Sequence, residues 1–415
     1  MLNNYKLFII FLFGLISGFT LLITGNTLNY WLSKEEIDLQ TIGIFAFILL
    51  PYSINFLWAP IFDTIYLRGL HKILGHRLSW LCVIQLFLAV FIFLLSLINP
   101  KYNLLIFALI GLVIAFLSSA QDTLLGALKT EIIAKEAQGA AAGIYIFGYR
   151  SGMLISGPTA IYLSAHLGWD SIYKIFATFV LFYSAILTIS LLNLNNPPAP
   201  VIISSKNQEW GNSTAFIQNI LKPVGPLSLV LTIIIFLILY RLPDNFINMM
   251  INPFLIHIGY NELEIASTGK FLGIVSAIMG GLIASFIMRK KNIIDSLLLF
   301  GILHMLAHTF FILQEIYGKN LLLLFITIGF ESITGGMAMA AYIAFIASIC
   351  QGKFRATQYS FFTAMMGFSR SIFPALSGYI VVQLGWHNFF LFIIIITLPS
   401  LLLLKKIAYL LKVKK

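Results

Sequence analysis

Twelve separate stretches of this chain stay apolar over roughly the twenty residues that a helix needs to cross the hydrocarbon core of a bilayer. They fall at 7–28, 41–62, 79–98, 103–128, 139–163, 172–192, 226–250, 265–288, 293–313, 321–349, 357–382 and 386–404. A water-soluble fold of this size has no interior large enough to hide them. Of the 415 residues 60% are apolar and only 10% charged, with a mean hydropathy of +0.95. Lipid is therefore the solvent for most of the chain, and the expected class is an all-α membrane protein with twelve transmembrane helices.

The net charge of +11 would fit a nucleic-acid or anionic-lipid partner if it were gathered on a soluble domain. No such domain exists in the pattern, so no nucleic-acid partner is expected. The distribution of charge instead orients the chain, because Lys and Arg are kept on the cytoplasmic side. With the N-terminus inside, eighteen basic residues fall on cytoplasmic segments, among them Arg289, Lys290 and Lys291, against Lys34, Lys101 and Lys319 outside. Both termini are expected in the cytoplasm of a multi-pass inner-membrane protein. The run from Leu7 to Ile23 lacks a small-residue cleavage site and reads as a retained first span. Cys82 and Cys350 lie far apart without the partners of a metal site or disulfide framework, and read as reduced bystanders.

The longest polar stretch, from Asn193 to Pro226, carries Pro197, Pro198 and Pro200 and sits between spans six and seven. It reads as a cytoplasmic linker over 193–225, between a six-span half at 1–192 and a second at 226–415. The halves echo one another. Gln138 and Gln358 are 220 residues apart, as are Arg150 and Arg370; Ser-Gly pairs follow at 156–157 and 377–378, then Leu-Gly-Trp at 167–169 and 384–386. Same-sense repeats of six spans are the signature of the major facilitator superfamily, so the expected fold is that one, with two pseudo-symmetric six-helix halves.

Ionisable side chains at membrane depth cost about 2.5–3.5 kcal/mol on insertion scales, so each requires a partner, a wet cavity or a role. Arg150 and Arg370 fall near the middle of spans five and eleven, Asp122 in span four and Glu331 in span ten. The two arginines imply a basic central cavity. They either lock helices by pairing with Asp122 and Glu331 or serve an anionic substrate and protons with the same groups, and exchange of partners makes the two compatible. Arg241 and Asp244 are three apart in span seven and can pair on one helix face, with Pro243 between them expected to kink or loosen a gating turn. Lys270 lies in the outer part of span eight.

Glycines one helical turn apart, Gly14 and Gly18, Gly148 and Gly152, Gly269 and Gly273, predict close helix packing. His304 and His308 are four apart on span nine. Without a third ligand nearby they read as an interhelical hydrogen bond or polar seam, and no metal or other cofactor is expected. Nucleophile, zinc-protease, phosphate-loop and dinucleotide motifs do not occur, so the chain is not read as an enzyme.

Strings along nearly the whole chain resemble those of the AmpG-type muropeptide permeases. They are TGNTLNYW (24–31), IDLQTIG (37–43), LWAPIFD (57–63), SSAQD (118–122), LKTEII (128–133) and GYRSGMLISG (148–157) in the first half. The second half adds LYRLPDNF (239–246), TGKFLG (268–273), LFGILH (299–304), GFESITGGMAMAAYIA (329–344) and ATQYS (356–360). The resemblance implies proton-linked import of anhydromuropeptides, cell-wall breakdown products bearing N-acetylglucosamine, by a protein expected to be monomeric. Such solutes join sugar rings to peptide carboxylates. Arg150, Arg370, Arg241 and Lys270 suit the carboxylates through charge-assisted hydrogen bonds, Trp31 and Trp58 suit sugar faces, and Asp122 and Glu331 are the candidate proton carriers. Asp63, Arg77 and Asp244 are the candidate gating residues.

The chain departs from this pattern in places. Gly126 stands where the family usually has a second acid one turn after Asp122, and Thr64 where a basic residue commonly follows Asp63. Two alternatives stay open: a carrier of another organic anion such as acetyl-coenzyme A, whose transporters resemble this group around Gln121-Asp122, and a transport-inactive membrane receptor or assembly partner.

Overall fold

The structure, a computed structural model, describes every residue except 1–3, 59–60, 63–64, 134–137, 195–222, 351–354 and 414–415. Candidate gating residue Asp63, with Thr64, and most of the expected linker lie outside the described residues. All described regular structure is helical. Among the described residues nine helices are long and apolar enough to cross a membrane by themselves, and Leu39–Ser53 is a shorter apolar helix. The last of the nine, Phe361–Leu410, is interrupted at Gly385 and so supplies spans eleven and twelve. Span five is Gln138–Leu154, continued through a π-helical turn at Ile155–Thr159 into Ala160–Leu167.

Helix starts follow local chemistry. Asn292 and Asn320 accept the backbone N–H groups of Asp295 and Leu323 at 2.8 and 3.0 Å, capping spans nine and ten. Asn261 and Glu264 form a reciprocal capping box that opens span eight. Span two differs from the expected continuous helix over 41–62. It is broken into Leu39–Ile44, a 3-10 stretch at Phe45–Leu49 and Leu50–Ser53. Pro51 has no N–H for the preceding turn, and the tighter 3-10 winding takes up the difference. Span seven differs the other way: Leu227–Ile258 is one 32-residue α-helix that passes through both Pro243 and Pro253. The turn expected to loosen at Pro243 remains helical.

The chain forms two compact units, Met1–Ile37 with Ile48–Ile202, and Asp38–Phe47 with Ile203–Lys415. In the first unit spans one and five meet backbone to backbone. A methyl added at Gly14 or Gly18 would lie 2.0 or 1.9 Å from the carbonyl oxygens of Tyr145 and Tyr149, and one at Gly152 2.0 Å from that of Leu15. No residue larger than glycine fits such an approach. In the second unit a similarly close seam joins spans eight and ten, where the glycines are Gly280 and Gly336, against Ile333 and Ala277. The expected pair Gly269 and Gly273 meets only side chains, at 3.3 and 3.2 Å. Within the same unit Leu39–Ile44 lies on Gly378, where a methyl would come 1.7 Å from the Leu39 carbonyl oxygen.

Candidate functional site

In the second unit, span seven brings Arg241 and Asp244 onto one face, and they form a buried ion pair between Arg241 Nη1 and Asp244 Oδ2. The other carboxylate oxygen, Oδ1, meets Nε2 of His304 on span nine. Nδ1 of His304 reaches Thr334 Oγ1 on span ten at 2.9 Å. The three spans are thus joined by one chain of hydrogen bonds, from guanidinium to carboxylate to imidazole to hydroxyl. His308, one turn along span nine, stacks edge-on against His304 with ring centroids 4.5 Å apart. Glu331, one turn before Thr334, accepts from Ser332 Oγ at 3.0 Å and lies within electrostatic range of His304, Asp244 and Arg241.

Asp244, His304 and His308 offer atoms within 4.8 Å of one another, a spacing also compatible with a metal ion. The third ligand-type residue missing from the sequence pattern is therefore Asp244. The hydrogen bonds favour a proton-bearing chain over a ligand set. Both oxygens of Asp244 and both nitrogens of His304 already face partners, and the Arg241 guanidinium on the same carboxylate opposes a divalent cation.

In the first unit Ser17 Oγ donates to Asp122 Oδ1 at 2.6 Å, and Tyr145 donates to Ser17 at 3.0 Å. The Lys129 ammonium stands 4.4 Å from the centre of the Tyr145 ring. Beside this lies a polar seam through Tyr52, Ser118 and Thr20, with hydroxyl contacts of 2.6 Å, and through Gln85 and Gln121 at 3.1 Å. The expected approach of Asp122 to Arg150 is not observed: Arg150 contacts Met153 Sδ at 3.8 Å on its own helix, and no ion pair joins it to Asp122 among the described residues. Span five turns Tyr145, rather than Arg150, toward the acid.

Arg77 at the start of span three forms an ion pair with Glu131 at the end of span four, at 2.5 Å. Trp31 is 3% exposed. Its indole stacks on Trp169 at 5.8 Å, takes Phe107 edge-on at 5.0 Å, and donates from Nε1 to Glu35 at 3.3 Å. Protein covers most of the ring, and the residue also lines a cavity together with Glu35, Trp169 and Lys174. Lys270 rides on a π-helical segment, Ile265–Leu272, and interacts electrostatically with Glu331. Arg370 is half-buried on Arg355–Ser371, next to Ser369, whose hydroxyl accepts from Asn245 at 3.0 Å and donates to the Ile238 carbonyl at 3.0 Å.

The profile of the Major Facilitator Superfamily matches residues 7–330 and 296–413. A Rickettsia bellii (strain RML369-C) protein named as the transporter AmpG 1 is 61% identical over 406 residues, covering 97% of this chain and 98% of that protein. The anhydromuropeptide permease of Escherichia coli (strain K12) is 30% identical over 403 residues, covering 95% of this chain and 78% of the permease. This chain belongs to the AmpG group of the major facilitator superfamily. Among solved structures, the POT family transporter PepTSo superposes with a TM-score of 0.72 at 12% identity, over 99% of this chain and 98% of that one. A D-xylose–proton symporter follows the same fold at TM-score 0.70 and 13% identity, over 97% of each.

As a superfamily member the chain is a multi-pass membrane transporter, which agrees with the class read from its apolar stretches. Sequence reasoning gave His304 a structural hydrogen bond and left its partners unnamed. Ser17, Tyr145 and Thr334 were not singled out at all. The available signal was that His304 closes one of the strings resembling AmpG-type permeases, and Ser17 lies between the two glycines of a close-packed helix face.

Proposed function

We propose that this chain is a proton-linked importer of anionic sugar-peptides, the anhydromuropeptides of peptidoglycan turnover, working by alternating access in the cell inner membrane. The kinship with the E. coli permease along nearly the whole chain carries the substrate class. The buried chain from Arg241 through Asp244 and His304 to Thr334 supports ion-linked transport, since so many polar groups at membrane depth are costly unless they serve substrate or protons. In this reading Arg150 and Arg370 meet peptide carboxylates with a planar fork, Arg241 and Lys270 add to the basic field, and protonation of Asp122 or Glu331 accompanies the cycle. The Arg77–Glu131 pair and Asp244 exchange partners as the protein changes state. Both termini and the 193–225 linker are cytoplasmic, and the working unit is a monomer.

The test is uptake of a labelled N-acetylglucosaminyl-anhydromuramyl peptide by proteoliposomes under an imposed proton gradient. Accumulation that collapses with an uncoupler is expected. Accumulation of acetyl-coenzyme A instead would replace the substrate class, and absence of any flux from folded protein would support the receptor alternative.

A further inference from the structure

We propose that His304 is a proton-binding site of the second unit, holding its proton as an imidazolium between Asp244 and Thr334 and releasing it during the transport cycle. The protonation state follows from counting donors and acceptors. Asp244 is ionised, because Arg241 holds its other oxygen, and a carboxylate only accepts, so Nε2 carries a hydrogen. Thr334 Oγ1 lies 2.8 Å from the Phe330 carbonyl oxygen and 3.0 Å from that of Glu331. The single hydroxyl hydrogen bonds back to its own helix, as mid-helix threonines commonly do. The hydroxyl oxygen is then left to accept from Nδ1–H at 2.9 Å. A ring that donates from both nitrogens is charged.

The surroundings fit a loaded site that can also be emptied. The imidazole is 5% exposed and occupies a slot over Gly335, where an added methyl would stand 3.1 Å from Cε1. The groups acting on it are Arg241 and Asp244 from span seven and Glu331 from span ten. Tyr240 on span seven turns its hydroxyl away, to the Leu297 carbonyl at 3.0 Å. His308, on span nine with His304, has no hydrogen-bond partner at either nitrogen among the described residues and is fully buried, so it is a ready acceptor beside the charged ring. With the proton bound, the Asp244 carboxylate lies between two cations, Arg241 and His304. When it leaves, an N–H bond of the imidazole breaks, the pair of electrons stays on the nitrogen, and Arg241 alone still neutralises Asp244. The site therefore loses its proton without stranding the carboxylate.

The role in transport rests on the proton-linked reading above, whereas the charge state does not. The full chain, labelled with 15N-histidine and placed in lipid bilayers, is measured by solid-state NMR at about pH 7.5, a unit above the ordinary histidine range. An imidazolium signal that vanishes in His304→Gln is expected; if that variant fails to fold, a shift of the signal in Thr334→Val assigns it. Wild-type protein showing only neutral imidazoles overturns the proposal. In proteoliposomes His304→Gln is expected to keep substrate counterflow and lose gradient-driven accumulation, and accumulation equal to wild type overturns the transport role. If wild type itself accumulates nothing under the gradient, the proton-linked reading fails and with it the transport role, while the NMR result still decides the charge state.

Discussion

Gly168 and Gly385 turn the chain in the same way, with φ 74° and ψ 158° at the first and φ 76° and ψ 168° at the second. Each stands just before the last span of its half, and each is followed by a tryptophan set into an aromatic cluster: Trp169 on Trp31, Trp386 on Phe254 at 5.2 Å. The repeated Leu-Gly-Trp string is thus repeated geometry, since this part of conformational space is open in practice only to glycine.

Substituting Gly385→Ala is expected to lower stability by about 1–3 kcal/mol through backbone strain alone, because nothing lies within 4 Å of the added methyl. Gly168→Ala should cost at least as much, its methyl also meeting Asp170 Oδ1 at 3.0 Å. Thermal unfolding of purified protein in detergent measures both, and an unchanged midpoint for either would refute the strain argument.

The glycines in helices separate into two behaviours. Gly14→Ala forces spans one and five apart and is expected to destabilise by about 1–3 kcal/mol, the usual range for overpacking. Gly126→Ala points into open space, and removing a mid-helix glycine should stabilise by about 0.5–1 kcal/mol. The same unfolding assay compares them. If the two variants shifted the midpoint in the same direction, the packing of spans one and five would be wrongly assigned.

Arg241 and Asp244 invite a double-mutant cycle. Removing one member of a buried, hydrogen-bonded pair typically costs about 3–5 kcal/mol, so Arg241→Met and Asp244→Leu should each destabilise strongly. The double variant should lose less than the sum, with a coupling of about 0.5–3 kcal/mol. Additive losses in chemical unfolding would mean the ion pair contributes nothing of its own.

What could be read before the fold was known divides by distance along the chain. Span number and the Arg241–Asp244 pair were legible, because hydropathy and helical spacing act over a few residues. The breaks in span two were not, since an apolar run does not announce that Pro51 will switch the winding to 3-10. Neither was the bond from Asp244 to His304, which joins residues 60 apart and depends on how spans seven and nine pack. Asp122 shows the same limit. Its place on span four was legible, but the nearest arginine in sequence pointed to Arg150, whereas the packing of spans one, four and five delivers Ser17 and Tyr145.

Asp122→Asn tests whether that acid carries protons or only ties helices together. Its carboxylate accepts from Ser17, which itself accepts from Tyr145, and among the described residues no ion pair with Arg150 locks it charged. Neutralising it therefore does not strand Arg150, which contacts Met153 on its own helix. Asparagine keeps an acceptor for Ser17 and removes only the titration, so the fold should survive with a loss of no more than about 1–2 kcal/mol. If Asp122 carries a proton, counterflow persists while gradient-driven accumulation disappears. If accumulation is unchanged in Asp122→Asn and lost in His304→Gln, coupling belongs to the second unit, and Asp122 serves to hold span four against span one.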